Sequence, residues 1–220
     1  MITITAFKWV PPFAQGLVKD LRVRWALEEA GLPYQVRLLG QADQETTDYR
    51  KAQPWGQVPV LEEGDLVLFE SGAIVQYIAD RSEALSPRDP AGRAKVAQWL
   101  FAGLNTIEMH VQNLASIDLF YAKEEWAKLR RPGQEAFTRL KLQSLARHLD
   151  GREWLEDRFS AGDLVMVTVL RILRHTDMVT GDPVLGPYLA RGEARPAFQK
   201  ALADQLAAFE ANPPPQVAAA

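Results

Sequence analysis

The residue types that could do chemistry together lie in Gln53-Pro54-Trp55-Gly56-Gln57-Val58-Pro59-Val60-Leu61, followed nine residues later by Glu70-Ser71 at the head of an apolar helix. A proline in an apolar, strand-like run has no N–H for a sheet ladder, which argues against a central strand. Val58-Pro59 makes sense as a tight turn, expected to be cis, that leaves the backbone groups of Val58 open to a ligand. An acidic residue and a hydroxyl at a helix start sit where unpaired N–H groups and the helix dipole attract a carboxylate. Together these features suggest a site for a small, peptide-like anion. Taken alone, Ser71 also fits a simple helix N-cap.

Composition narrows the chemistry further. The 220 residues carry 25 basic and 28 acidic side chains, a net charge of −3, and the Arg130-Arg131 pair stands isolated, so no nucleic-acid surface is expected. There is no cysteine, which removes disulfides, thiolate metal sites and a cysteine nucleophile of the chain's own. The three histidines are scattered without ligand spacing, so no metal is expected. Met1 to Phe7 lacks the basic flank of a signal peptide, and an apolar run such as Leu164–Val167 falls far short of a membrane span. A cytoplasmic protein with no membrane partner is the expectation.

The elements that must position the site alternate over the first 81 residues. Ile2–Phe7 alternates with threonine, as a strand does. After Pro11-Pro12, residues near 14–30 read as a helix, with Val23, Ala26, Leu27 and Ala30 on one face and Gly31 and Pro33 as its stop. Tyr34–Leu39 is a second strand, parallel to the first through a right-handed crossover. Val58–Leu61 and Leu66–Phe69 flank the turn Glu62-Glu63-Gly64-Asp65 as a hairpin, and a helix follows from Ser71 to about Arg81. Residues 1–81 thus form an α/β domain, and 82–91, with two prolines, read as a linker. Helices over about 90–117, 132–149, 163–178 and 196–210 make 92–211 an all-helical domain. Leu164–Leu173 is apolar almost all round and should be its buried centre. Ser160-x-x-Asp163 reads as a capping box opening that helix. Residues 212–220, with three prolines, are expected to be a disordered tail.

Val23–Tyr34, Gln53–Leu61, Glu70-Ser71-Gly72-Ala73-Ile74 and Phe159-Ser160-Ala161-Gly162-Asp163, in this order, resemble the glutathione transferase superfamily over nearly the whole chain. The resemblance implies a thioredoxin-like α/β N-terminal domain followed by an all-α C-terminal helical bundle. It implies glutathione as a cosubstrate: Val58 meeting its cysteinyl unit as an added strand would, Pro59 as the cis-proline shaping that edge, Glu70 and Ser71 taking the γ-glutamyl end, and Gln57 lying near the glycyl side. It implies transfer of glutathione to a small hydrophobic electrophile or reduction of a peroxide, and it implies a homodimer.

Catalytic members of that family place a Ser, Tyr or Cys just after the first strand, where it lowers the thiol pKa of bound glutathione. A thiol at about 8.5 is about 3% ionised at pH 7, and one at about 6.5 is roughly three-quarters ionised, a gain of about 2.7 kcal/mol. Lys8 to Asp20 contains no Ser, Thr, Tyr or Cys; Pro11-Pro12-Phe13-Ala14 resembles the Cys-Pro-Phe-Ala segment of the cysteine-using classes, with Pro11 in the cysteine's place. Three sources of thiolate stabilisation stay open. One is the backbone N–H groups near Phe13–Gln15 or the Gln15 amide. A second is the helical domain, through Asn105, His110, Asn113 or Tyr121. The third is none, in a non-catalytic glutathione-binding module. A glutathione-dependent isomerase is a further alternative, since Gln57-Val58-Pro59 and Glu70-Ser71 are similar to zeta-type members, although the serine- and cysteine-bearing loop of that class is absent. Gln15 and Asn113 are the catalytic candidates, and Trp9, Phe13, Met109, His110 and Asn113 the candidate substrate pocket. His148 and His175 are expected to be structural, and Trp99, Trp126 and Trp154 to pack helices.

Overall fold

A computed structural model describes residues 1–214, and the chain divides into two compact units: Met1–Ile78 with the segment from Pro196, and Ala79–Arg195. In the first unit, β1 (Ile2–Phe7) runs parallel to β2 (Tyr34–Leu39), in register from Ile2↔Tyr34 to Phe7↔Leu39. The crossover between them is α1 (Asp20–Ala30), which Gly31 ends in the left-handed conformation at φ 65°. A short helix α2 (Thr47–Ala52) leads to β3 (Leu61–Glu63), antiparallel to β1, and then to β4 (Leu66–Leu68), antiparallel to β3. The sheet order is β2-β1-β3-β4, followed by α3 (Ser71–Ala79). The core joins Ile2, Ile4, Val23, Trp25, Leu27, Leu61, Ile74 and Ile78. A smaller cluster gathers Leu39, Tyr49, Val58 and Val60, with Phe7, Val18 and Ala52 against it.

Two expected boundaries move. The helix read over 14–30 starts only at Asp20, because Pro12–Ala14 form a single 3-10 turn and Gly16, at φ 75°, breaks the helical path. The strand read over 58–61 starts at Leu61, since the Val58–Pro59 peptide is cis and the segment leaves the ladder; Val60 keeps one bond, its carbonyl accepting from Thr5 N at 2.9 Å.

The second unit is helical. Asp89 caps α4 (Pro90–Phe101) by accepting from Gly92 N at 2.8 Å. A π-helical stretch, Ala102–Glu108, carries it into α5 (Met109–Phe120). Next comes α6 (Glu125–Leu149), which starts before the expected 132 and runs through Pro132; that proline is exposed, so the carbonyl its ring leaves unbonded is on the wet side. At the centre is α7 (Ala161–Leu170), buried at every position as its all-round apolar sequence requires, with a 3-10 extension Arg171–Leu173 in place of a helix to 178. The last helix of the unit is α8 (Leu185–Glu193). Glycine lets neighbours close on α7: a Cβ on Gly192 would stand 2.5 Å from Val167 Cγ2. The segment read as a linker is part of this unit, with Leu85 fully buried and its carbonyl accepting from Ala161 N at 2.9 Å.

The expected capping box is present at the head of α7. Asp163 accepts from Leu155 N at 2.8 Å, Ser160 N at 3.0 Å, Ser160 Oγ at 3.1 Å and the Tyr188 phenol at 3.0 Å. Desolvation nevertheless dominates and pushes the carboxyl up to about 6, against the pull of those donors.

The final helix, α9 (Pro196–Ala211), falls within the expected all-helical 92–211 region, yet it packs on α1 in the first unit. Phe198 meets Trp25 edge-on at 4.9 Å. Buried Gln205 accepts from Gly16 N at 3.2 Å and donates to Asp20 Oδ1 at 2.7 Å, while Arg24 Nε donates to Asp20 Oδ2 at 2.8 Å. The part of the expected tail beyond Pro214 lies outside the described residues.

Two outcomes follow from the buried carboxyl. Asp163→Ala strands four buried donors, each costing about 1–3 kcal/mol, so its urea midpoint should drop steeply. Because the native pKa of about 6 lies above the unfolded 3.8, the folded state binds more protons between those values, and this group's stabilisation is lost as pH rises through them. Urea titrations from pH 4 to 7 should therefore show wild type losing about 2 kcal/mol relative to Asp163→Asn across that window.

Candidate active site

The turn before β3 is built from its own polar groups. Gln53 Oε1 accepts from Trp55 N at 2.7 Å, Arg50 Nη1 donates to the Pro54 carbonyl at 3.0 Å, and Gly56 takes φ 63° with the Arg50 guanidinium packed where a Cβ would be. The Tyr49 phenol donates to the Gln57 carbonyl at 2.6 Å, and Val60 N donates to Thr5 Oγ1 at 2.8 Å. Between these ties, neither the N–H nor the C=O of Val58 has a hydrogen-bond partner among the described residues, while its side chain is buried in the small cluster. Gln57 projects from the same turn, exposed, and Pro59 is buried. The result is a short length of open strand edge.

Glu70 lies in the left-handed region at φ 68°, the one such non-glycine residue among those described, a conformation that costs of order 1–3 kcal/mol and concentrates at functional sites. Its carbonyl accepts from Ile74 N at 3.0 Å, so it stands at the threshold of α3, and its carboxylate is exposed. Ser71 is the first helical residue, 6% exposed; its hydroxyl accepts from Arg22 Nη1 at 3.4 Å instead of capping the backbone. Arg22, itself buried, was not singled out in the sequence because it reads as one more polar residue of an amphipathic helix. A guanidinium, a hydroxyl and the first-turn N–H groups of α3 make this corner favourable to an anion.

The loop between β1 and α1 narrows one of the three expected sources of thiolate stabilisation. Four of its backbone N–H groups are committed: Ala14 N to the Pro11 carbonyl at 2.8 Å, Gln15 N to Pro12 at 3.3 Å, Gly16 N to Gln205 Oε1 and Leu17 N to Ala14 at 3.0 Å. The Pro11-Pro12 start folds them inward as a 3-10 turn, so Ala14 and Gln15 offer no backbone donor. Gln15 spends one side-chain N–H on the Val10 carbonyl at 3.1 Å, which leaves a single N–H on that amide. Lys8 Nζ and Trp9 Nε1 carry no hydrogen bond among the described residues, and neither was read as an activator in the sequence.

The expected pocket residues divide between the units. Trp9 lines a cavity of about 400 Å³ with Lys8, Leu39, Gly40 and Asn212–Pro214, whereas Phe13 is exposed on the 3-10 turn and takes no part in it. In the second unit, Met109 and Asn113 are exposed one turn apart on α5. His110 instead stacks on Phe137 of α6 at 6.1 Å, and its carbonyl accepts from Gln134 and Thr138. Asn105 is exposed on the π-helical stretch, and Tyr121 packs on Trp126, which is half exposed and thus no core packing residue. His148 bonds the Leu155 carbonyl and His175 bonds Asp118, beside the Arg131 guanidinium, so both have structural partners. Among the described residues no group of three or more His, Asp or Glu side chains could hold a metal ion, and no helix is long and apolar enough to cross a membrane.

Comparison with known proteins bears on the same elements. Residues 14–80 match the family model for the glutathione S-transferase N-terminal domain. The chain is 32% identical to glutathione S-transferase Z1 of Arabidopsis thaliana over 195 residues, 84% of this chain and 86% of that one. Among solved structures, a glutathione transferase from Burkholderia graminis with two glutathione molecules bound per subunit superposes with a TM-score of 0.80 at 28% identity, covering 91% of this chain and 87% of that one. One from Pseudomonas putida, with one glutathione disulfide bound per subunit, gives 0.78 at 27% identity, covering 91% and 90%. A thioredoxin-like sheet, a helical second unit and relatedness over most of both chains place this chain in the glutathione S-transferase family.

Proposed function

We propose that the protein activates the thiol of glutathione for attack on a small hydrophobic electrophile, with Val58 offering its N–H and C=O to the cysteinyl unit, Pro59 shaping that edge, Gln57 near the glycyl side, and Glu70 and Ser71 receiving the γ-glutamyl end. The open backbone of Val58 carries this reading: two polar groups left without partners in a well-tied turn are costly unless a ligand pairs them. Arg22 beside Ser71 adds positive charge where the ligand's carboxylate would sit.

Activation requires a donor or cation at the thiolate sulfur. With the amides of Ala14 to Leu17 committed, the side-chain candidates are the remaining N–H of Gln15, Lys8 Nζ, Trp9 Nε1, and, from the helical unit, Asn113. The bound thiol loses its proton to solvent, the thiolate forms a bond to the electrophilic carbon or sulfur, and the leaving group departs with the electron pair. Met109, Asn113, Trp9 and Phe13 remain the proposed contacts for the electrophile.

A specific observation favours disulfides as a second electrophile class. The chain has no cysteine, so glutathione must supply any reacting sulfur on the protein's side, and two structural relatives hold two glutathiones or a glutathione disulfide. Glutathione thiolate would attack one sulfur of a disulfide, forming a new S–S bond as the other sulfur leaves as thiolate. A reaction that consumes reduced glutathione belongs in a reducing compartment, the cytoplasm.

We also propose a homodimer. The edge strand β4 leaves Val67 45% exposed, with Phe69 and Trp55 also exposed in the first unit, and Phe101 and Phe137 exposed in the second. A second copy would cover these residues.

The binding reading is checked by calorimetric titration with glutathione while thiolate absorbance is followed from pH 5 to 9. Binding with the thiol pKa drawn below about 8.5 is the expected outcome; an unshifted pKa would return the protein to a non-catalytic binding module, and no binding would remove the function. Ser71→Ala should weaken binding by about 1–3 kcal/mol, and an unchanged affinity would detach Ser71 from the ligand. Light scattering should give twice the chain mass, with Val67→Lys shifting the protein toward monomer; a monomeric wild type sinks the dimer.

A further inference from the structure

A chain of hydroxyls runs beneath the Val58 turn. The Tyr49 phenol oxygen is 2.6 Å from the Gln57 carbonyl and 3.0 Å from Thr5 Oγ1, and Thr5 Oγ1 is 2.8 Å from Val60 N. The chemistry of the end groups orders every hydrogen. The Gln57 carbonyl only accepts, so the phenol spends its hydrogen there. The phenol oxygen then has only lone pairs left, so the Thr5 hydroxyl donates to it. Thr5 Oγ1 in turn accepts the Val60 N–H. Thr5 is fully buried and Tyr49 nearly so, and burial raises the phenol's pKa, which keeps it a donor.

The two backbone atoms that this relay holds, Gln57 O and Val60 N, flank the Val58–Pro59 pair from either side. Both open groups of Val58 hang between them. The ring of Tyr49 packs with Leu39, Val58 and Val60, contacts that a phenylalanine would make equally well. The core has no need of the hydroxyl, and a buried polar pair is a liability unless it is fully used. Here it is fully used, and its far ends are both in the turn.

We infer that Tyr49 and Thr5 are positioning residues for glutathione: their hydroxyl relay sets the spacing and direction of the Val58 N–H and C=O toward the cysteinyl unit. This rests on the reading that glutathione takes the Val58 edge. Neither residue touches the ligand in this account; both act through Gln57 and Val60. The relay is rigid because β1 supplies Thr5 and α2 supplies Tyr49, so the turn is registered against the sheet and a helix together.

The test compares Tyr49→Phe, Thr5→Val and the hydroxyl-preserving Thr5→Ser with wild type and Ser71→Ala. Glutathione affinity, thermal midpoint and amide exchange at Val60 without ligand are measured for each. The expected result is a Kd about five- to twentyfold higher in Tyr49→Phe and in Thr5→Val, with Thr5→Ser within about twofold of wild type. The double variant should be little worse than either single one, since both cut the same relay. Exchange at Val60 should accelerate in Thr5→Val, and where turnover is measurable the loss should fall on the KM for glutathione and spare kcat. A Kd within twofold of wild type in folded Tyr49→Phe or Thr5→Val, even with a lower thermal midpoint, would mean the hydroxyls serve stability alone and would overturn the inference; either single variant suffices if the other does not fold. Wild-type binding that Ser71→Ala weakens and the relay variants do not would sink this inference only. No binding by wild type would sink the glutathione reading and this inference with it.

Discussion

The constraint on which the rest of the first unit depends is that Val60 must stay tied to Thr5 while Val58 stays untied. Thr5 donates its amide to the Val60 carbonyl and receives the Val60 amide on its hydroxyl, so a single β1 residue satisfies both backbone groups of its neighbour. That double tie ends the strand-like behaviour of the segment one residue before β3 begins. Everything upstream, from Gln53 to Pro59, is then free to turn away from the ladder, leaving only the backbone groups of Val58 in its middle without partners among the described residues. The open edge at Val58 is a by-product of this arrangement, and it is the chemical asset of the unit.

Buried polar groups organise the chain a second time, around the loop before α1. Asp20 is fully buried, and desolvation raises its pKa against the opposing pull of Arg24 and Gln205. Gln205 bridges Asp20 to Gly16, so a residue from the far end of the chain fixes the loop that connects the first strand to the first helix. A carboxylate held by one cation and one amide is a costly device for stability alone. What it secures here is the path of a loop with no regular structure beyond one 3-10 turn. In the helical unit, Asp163 plays a comparable part, with Tyr188 and the Leu155 amide joined at the start of the central helix.

The sequence made the alternation of strand and helix legible because each element has its own period: threonine alternation in β1, the Val23–Ala30 stripe in α1, and the all-round apolar α7. It also exposed Val58-Pro59, Glu70-Ser71 and the Ser160/Asp163 box, since proline, a helix start and a cap each have local chemistry. It could not show that α9 belongs with the first unit. The stripe Phe198, Ala201, Gln205, Phe209 says only that one face is covered, and the partner, Trp25, lies far away in sequence. The relay was hidden for the same reason: Thr5 looks like strand alternation and Tyr49 like an ordinary helix residue until the fold brings them within 3.0 Å. The start of α1 is not legible because Pro11 and Pro12 look like the break before a helix, when they open a turn that Gly16 closes.

That turn shapes the chemistry more than any single side chain. In a loop with hydroxyls, a backbone free to donate would be one of several ways to hold a thiolate. Here the hydroxyls are missing from Lys8 to Asp20, and the amides of Ala14, Gln15, Gly16 and Leu17 are bound to the protein itself. On the proposed reading, stabilisation of a bound thiolate would fall to side-chain donors such as Lys8, Trp9 or the Gln15 amide, or to the helical unit. Such donors are less preorganised than a fixed hydroxyl and give up part of their interaction energy in being ordered. A site built this way would bind its peptide through backbone groups and activate its sulfur through side chains. Binding and activation would thus be separable, with the first governed by Val58 and its ties and the second by side chains outside that turn.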